Sequence, residues 1–318
     1  MATSLERVVA QMQAFGMPEI SAHELQLNSG RWMRYGPRKK AYYRIESRVS
    51  RAGNEYFVGA FGYKGNGPHL LEYEGPKLSP EEIRALEERR RLAEAREARL
   101  RAAAIARAAD NAAETWRDAS PTGESPYLER KGVSIAGGWV RYLGPNVVVP
   151  MVRYDLPEGE RLKGVQIIRP DGEKRFTAGM EKAGCAAVLG LHQLRSAILI
   201  CEGLATAATI WHALERQHRV VVAFDAGNLL PAGRIIIAAQ HPDAKLLFCA
   251  DDDYLTDGNP GRTRANQAAR ELGGGVIFPI FRKRDGRKLT DFNDLQAEEG
   301  VAEVATQIVC ALKWLPRI

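Results

Sequence analysis

The sequence predicts an α/β protein whose last third is built on a central parallel sheet. Three observations lead there. Four short apolar runs, 197–201, 220–224, 245–250 and 276–280, contain almost no polar residue. Such runs suit strands buried on both faces, as parallel strands are. The stretches between them have helical periodicity and enough length for crossover helices.

Three further pieces precede this region. Residues 1–15 have the apolar spacing of an amphipathic helix, and 30–74 read as short strands separated by glycines. In that small β-rich module Arg31, Arg34, Arg38, Lys39, Lys40, Arg44, Arg48 and Arg51 are interleaved with Trp32, Tyr35, Tyr42, Tyr43, Tyr56 and Phe57. Basic groups track phosphates and aromatic rings stack bases. The module is therefore a candidate nucleic-acid face, with Arg31, Arg34, Lys39, Lys40, Tyr42 and Tyr43 the candidate contacts. The alternative is a solvated basic face over a small aromatic core.

Ser79-Pro80-Glu81-Glu82 carries the signals of a helix start: a serine cap, proline at the first helical position and glutamate placed to close a capping box. Ala, Arg, Glu and Leu then continue to about Trp116, which predicts a charged rod about 55 Å long. It reads as a connector between modules. Ser, Pro and Gly break it at 118–125. Strand patterns return at 146–152 and 164–169 as part of a mixed module. The expected segments are a β-rich module at 1–78, a helical connector at 79–118, a mixed α+β subdomain at 119–194 and the α/β domain at 195–318.

The 318 residues include 45 Lys+Arg against 39 Asp+Glu, a net charge of +6, with 45% hydrophobic residues. That balance supports a sizeable core and excludes wholesale disorder. No run reaches the roughly 18 apolar residues of a membrane helix, and the N-terminus lacks a basic-then-apolar leader. A cytoplasmic protein without membrane contact is expected. Cys185, Cys201, Cys249 and Cys310 form no CxxC pair, and no zinc site is expected. His23, His69, His192, His212, His218 and His241 form no ligand cluster, and Trp211 and His212 read as packing residues.

Ligands of open α/β sheets gather at the carboxyl ends of the strands. Here those ends are acidic. The first run ends in Glu202-Gly203 and the third in Asp251-Asp252-Asp253. Alternation sends Asp251 and Asp253 to one side and Asp252 to the other, where it reads as a loop cap facing water. Converging carboxylates repel one another unless a cation neutralises them, so an oxygen-ligated Mg²⁺ or Mn²⁺ is the natural solution. No GxxxxGK[ST] pattern occurs, so no helicase motor is encoded in this sequence.

An apolar strand ending in Glu-Gly, a second strand, then a strand ending in Asp-x-Asp resembles the Toprim family of topoisomerases, primases and related nucleases. Residues 220–229 resemble its middle strand and glycine turn, with Gly227 and Asn228 in the turn. Asn259-Pro260-Gly261-Arg262 leads into a helix as in primases of this group, and Thr290-Asp291-Phe292-Asn293-Asp294-Leu295 resembles their late acidic motif. Upstream, residues 149–190 resemble the catalytic core of DnaG-type primases, whose phosphate-holding basic positions fall on Arg169, Lys174 and Arg175. Nearest in motif content is the TraC-like group of Toprim primases of plasmids, phages and integrative elements, which share Tyr127-Leu128, Lys131-Gly132, Glu202-Gly203, Ala205-Thr206-Ala207 and the stretch 291–295. The likeness spans about 127–294. Two departures stand out: Thr206 occupies an acidic position of the DnaG-type pattern, and the zinc module of replicative primases is absent from the sequence.

The resemblance implies a DNA primase of replication that makes short primers on single-stranded DNA from nucleoside triphosphates, with a replicative helicase or polymerase as the implied partner. Glu202, Asp251 and Asp253 would be catalytic and, with Asp291 and Asp294, would hold Mg²⁺ or Mn²⁺. Arg169, Lys174, Arg175, Gly203, Gly227, Asn228 and Arg262 would face nucleotide or DNA. The rivals are a Toprim nuclease and a non-catalytic nucleic-acid-binding accessory protein.

Overall fold

The computed structural model describes residues 4–49, 55–72, 80–191, 197–240 and 244–315. Arg51, the Ser79 cap with its Glu82 side chain, His192 and His241 lie outside the described residues. The chain divides into two units, Met1–Glu94 and Ala95–Ile318.

The first unit opens with α1 (Ser4–Ala14), followed by β1 (Met33–Tyr35), β2 (Ala41–Val49), β3 (Glu55–Tyr63) and β4 (Asn66–Leu70). The strands form one antiparallel sheet in chain order. Alternation along β2 buries Ala41, Tyr43 and Ile45 against Val8, Val9 and Met12 of α1. Tyr42 and Arg44 point the other way. Gly62, opposite Tyr42, has no side chain and leaves room for the Tyr42 ring to lie across it. Among the described residues up to 72, the regular structure is thus this four-stranded sheet, α1 and two single-turn helical segments.

The second unit begins within α2 (Pro80–Asp118), a 39-residue helix about 58 Å long at 1.5 Å per residue. Its first turns carry exposed pairs such as Arg90–Glu94. Near its end Ala112 and Trp116 pack against Val148 and Val165, so the rod is anchored at that end. The expected break follows, and α3 (Pro126–Arg130) comes next. An antiparallel sheet is then made in order from β5 (Arg141–Leu143), β6 (Asn146–Val152), β7 (Leu162–Ile168) and β8 (Lys174–Phe176).

The last sheet has five strands: β9 (Ala187–Leu189), β10 (Ile198–Cys201), β11 (Arg219–Val222), β12 (Leu246–Cys249) and β13 (Gly275–Ile277). Its spatial order is β13-β12-β10-β11-β9. The four apolar runs are its parallel strands, while β9 adds an antiparallel edge beside β11. The helices are α4 (Leu204–Ala213), α5 (Leu229–Gln240), α6 (Pro260–Leu272), α7 (Phe292–Glu299) and α8 (Val301–Lys313). Ile198 and Ile200 of β10 pack on one face with Ile236 of α5 and Ala265 of α6. Leu199 and Cys201 pack on the other with Leu204 of α4, Phe292 of α7 and Val304 of α8. That second core also takes in Val147, Val149 and Ile168, so the two sheets share one interior. Trp211 is buried there, as its packing role requires. Cys185, Cys201 and Cys249 are buried and Cys310 exposed, all as free thiols. Among the described residues no helix is long and apolar enough to cross a membrane.

Candidate active site

Register places Ile200 of β10 beside Phe248 of β12, so Glu202 and Asp251 leave the sheet together at its carboxyl end. One oxygen of each carboxylate is buried, and these two, Glu202 Oε1 and Asp251 Oδ1, have no hydrogen-bond partner among the described residues. Such groups cost free energy unless something neutralises them. Burial, with the charges of Asp253 and Asp225, pushes the Glu202 pKa up to about 7, although the backbone amides of Asp251 and Ala226 oppose this. Asp251 is raised well above its ordinary value by burial and by Glu202, Asp291 and Asp253, against the pull of Lys174. Oxygen donors that repel one another this way suit a hard divalent cation. Among the described residues, no three His, Cys, Asp or Glu side chains already form a metal cage.

Asp253 lies at the start of α6, where its Oδ2 accepts the Gly261 amide at 3.1 Å. Glycine is required there, since a Cβ on Gly261 would stand 2.5 Å from the Asp251 carbonyl oxygen. Asn259 caps the same helix with its side chain on the Arg262 amide. The Asn-Pro-Gly-Arg motif is thus a tight helix start folded over the acidic strand end.

Asp291 and Asp294 form a reciprocal capping box at the start of α7: Asp291 Oδ1 accepts the Asp294 amide at 2.7 Å, and Asp294 Oδ2 accepts the Asp291 amide at 3.4 Å and also the Thr290 amide at 2.8 Å. Asp291 Oδ2 accepts the Thr206 hydroxyl at 3.1 Å. Burial and the neighbouring Asp294 raise the Asp291 pKa, while the Asp294 amide, Lys131 and Thr206 lower it. Thr206 therefore supports a carboxylate brought in from α7. α7 is itself tied to the Lys131-Gly132 motif by Asn293 Nδ2 to Lys131 O at 2.7 Å and Gln296 Nε2 to Gly132 O at 3.0 Å.

Asp252 corrects the expectation of a water-facing cap. It is 6% exposed and receives Arg284 at 2.8 Å, Asn259 at 2.7 Å and Arg262 at 3.3 Å. Burial alone would raise its pKa, but these partners hold it below the ordinary value. Arg262 also lies 4.3 Å from the Phe278 ring centroid. Its guanidinium is thus engaged by Asp252 and Phe278, while half of its side chain stays exposed.

The basic candidates separate by strand alternation. Lys174 and Phe176 share one side of β8, and a Cβ on Gly203 would lie 3.9 Å from Lys174 Nζ, which puts that ammonium beside the acidic strand end. Arg169 and Arg175 instead both pair with Glu173, at 2.7 and 2.9 Å. Gly203 meets only ordinary contacts, and Gly227 approaches Asp225. Asn228 departs from its expected ligand-facing place. It is 3% exposed, and its amide group is bonded to the backbone of Gly184, Cys185 and Ala223. That is a buried clamp with no polar atom left for a nucleotide. The sequence reading passed over Lys182, which pairs with Asp225, and Phe176, which packs on Phe224. Their signal was position: both lie within the basic stretch after β7.

In the first unit, Arg31, Trp32, Arg34, Lys39 and Lys40 are exposed. Tyr42 meets Trp32 edge to face with centroids 5.3 Å apart, and Arg34 lies 5.7 Å from the Tyr42 centroid. Tyr43 is a correction: it is 3% exposed and its hydroxyl accepts the Gln26 amide, so it belongs to the core and presents no face to a base.

No family model matches the chain. Two curated proteins from Escherichia coli, both described as DNA primase TraC, are similar to it: one is 40% identical over 168 residues and the other 35% over 198. These alignments cover 50% and 57% of this chain but only 15% and 13% of those relatives, so the chain spans a small part of their length. Among solved structures, the primase fragment of the bacteriophage T7 primase-helicase is 14% identical with a TM-score of 0.39, covering 57% of this chain and 69% of that one. The RNA polymerase domain of Mycobacterium tuberculosis primase DnaG is 18% identical with a TM-score of 0.33, covering 57% and 59%. Over half its length, the chain is thus similar in sequence to the TraC primases, the group its motifs resemble.

Proposed function

We propose that this chain is a DNA primase, making short primers on single-stranded DNA by metal-dependent nucleotidyl transfer, and that its five-stranded sheet with α4 to α8 is a Toprim domain. The observation that carries this reading is the pair of buried, unpartnered carboxylate oxygens of Glu202 and Asp251 at neighbouring strand ends, with Lys174 brought to them from a different sheet. In this reading segments 119–194 and 195–318 together form the catalytic unit, 79–118 is the connector, and 1–78 contacts template through Arg31, Arg34, Lys39, Lys40 and Tyr42.

Glu202, Asp251 and Asp253 would hold Mg²⁺ or Mn²⁺, with Asp291 beside them. When bound, the metal would neutralise phosphate charge and lower the pKa of the attacking hydroxyl. The chain's own part is electrostatic and positional. Lys174 holds triphosphate oxygens against the acidic end, where burial strengthens each charge interaction. The Thr206 hydroxyl and the capping box of α7 hold Asp291 in one orientation. Arg169 and Arg175 form the outer rim of the same hairpin. Asp294, spent on backbone amides, acts as a cap more than as a ligand.

The test combines purified protein with mixed-sequence single-stranded DNA, labelled ribo- and deoxynucleoside triphosphates and Mg²⁺ or Mn²⁺, beside an Asp251→Ala/Asp253→Ala control. Short labelled products that vanish in the control are expected. Intact template without product, where DNA binding is demonstrated, would favour the accessory role. Degraded template would favour the nuclease.

A further inference from the structure

Beside the acidic strand ends the structure holds an aromatic pair, Phe224 at the edge of the core and Phe176 outside it, and the chemistry above gives Phe176 no part. Phe176 is 39% exposed and shares with Lys174 the side of β8 that faces Gly203 and Phe224. Its ring meets Phe224 edge to face, with centroids 6.2 Å apart. Phe224 is 8% exposed and has φ +72°, a left-handed conformation unusual for so bulky a residue. Strain of this kind clusters at functional sites. Phe224 immediately precedes Asp225, and the Ala223 amide is bonded to Cys201 O, so this aromatic pair borders Glu202. The Lys182 ammonium lies 5.2 Å from the Phe176 centroid and pairs with Asp225, leaving that corner of the site aromatic and basic together.

From this placement we infer that Phe176 is the stacking platform for the base of the incoming nucleotide, buttressed by Phe224. The inference rests on the nucleotidyl-transfer reading and extends it to a positioning residue. Two residues on one strand face are about 7 Å apart. A triphosphate held by Lys174 at the carboxylates therefore has the next position on the same strand face, Phe176, within reach of its base. Stacking accepts every base because each has a π face. The platform therefore fixes where a base lies and leaves its identity to template pairing. Phe224, locked by its backbone, holds the Phe176 ring in one orientation, so little freedom is lost when a base arrives.

The test uses the full chain with Phe176→Leu, which keeps apolar bulk without a π face, and Phe176→Trp, which keeps the face. The probe is 2-aminopurine ribonucleoside triphosphate with Mg²⁺, whose emission is quenched by stacking; single-stranded DNA affinity is followed separately by anisotropy. Quenching is expected with wild type and Phe176→Trp and is lost in Phe176→Leu, with nucleotide affinity falling about ten-fold and DNA affinity unchanged. In priming, the KM for nucleotide should rise while kcat holds. Phe176→Leu that binds and quenches as wild type does would overturn the platform while leaving the primase reading intact. DNA affinity lost in place of nucleotide affinity would assign Phe176 to the template and overturn the proposal too. Failure of the folded wild-type protein to bind nucleotide at all would remove both readings.

Discussion

Arg284 Nη2 donates to Asp252 Oδ2 at 2.8 Å, joining the segment between β13 and α7 to the end of β12. The Asp252 amide also donates to Thr290 O at 2.8 Å, one residue before Asp291. The pair thus fixes the approach of the strap that carries a carboxylate into the acidic site. Little water screens it: the Asp252 side chain is 9% exposed and that of Arg284 23%.

Arg284→Leu should cost about 2–3 kcal/mol, because it strips a charge partner from a buried carboxylate that keeps only Arg262 and Asn259. Asp252→Asn in the same protein should recover part of that loss. Urea unfolding of the two single variants and the double variant measures the coupling, expected at about 1–2 kcal/mol. Additive losses would mean that the pair is not coupled.

Glu202 sets a pH dependence. Its folded pKa is raised to about 7 from the ordinary 4.5, so between those values the folded protein binds more protons than the unfolded chain. Stability therefore falls as pH rises through that window. Without divalent metal, the Tm should drop between pH 5 and pH 8, and Glu202→Gln should flatten the curve and be the more stable protein at pH 8. Millimolar Mg²⁺ or Mn²⁺ should restore wild-type Tm at pH 8 more than it raises that of the variant. Superimposed Tm curves for the two proteins would refute this account of the site.

The parallel strands were legible because burial on both faces writes itself as an unbroken apolar run; Ile198, Val221 and Phe248 have no polar alternative beside them. β9 was not legible. It has only three residues and owes its place to one antiparallel neighbour, a partnership that local pattern does not encode. The carboxylates at the strand ends followed from topology, which fixes where strands stop. The fate of Asp252 did not, because Arg284 lies 32 residues away and only the fold brings them together. Asn228 was misplaced for a related reason: an amide in a glycine turn looks the same whether it faces ligand or fills three backbone bonds. Tyr43 was readable in principle, since the Ala41, Tyr43, Ile45 alternation marks the inward side of β2 and Tyr42 the outward one.

That alternation separates two neighbouring tyrosines by effect. Tyr43→Ala should cost about 3–4 kcal/mol through loss of a buried aromatic and an orphaned Gln26 amide. Tyr42→Ala should change stability by less than about 1 kcal/mol yet weaken single-stranded DNA binding roughly five-fold by removing a stacking face beside Arg34 and Trp32. Thermal melts and fluorescence anisotropy with a labelled oligonucleotide distinguish the two. Unchanged DNA affinity in Tyr42→Ala would leave this sheet face as a solvated surface.

Thr206 gives a last test, at the position where the DnaG-type pattern carries an acid. Its side chain is 2% exposed and donates to Asp291, whose other oxygen is committed to the Asp294 amide. Thr206→Val keeps the shape but removes the donor, leaving a buried carboxylate oxygen without a partner. A loss of about 1–2 kcal/mol follows at pH 8. It should shrink as the pH is lowered and Asp291, raised by burial, takes up a proton and no longer needs the bond. Thr206→Asp sets like charge against like charge in the same space, so its metal-free Tm should fall further at pH 8. Added Mg²⁺ or Mn²⁺ should then stabilise it more than wild type, since a further carboxylate would join Glu202, Asp251 and Asp253 in the donor set. Equal metal-induced shifts in Thr206→Asp and wild type would place the ion away from residue 206 and leave Asp291 as a cap alone.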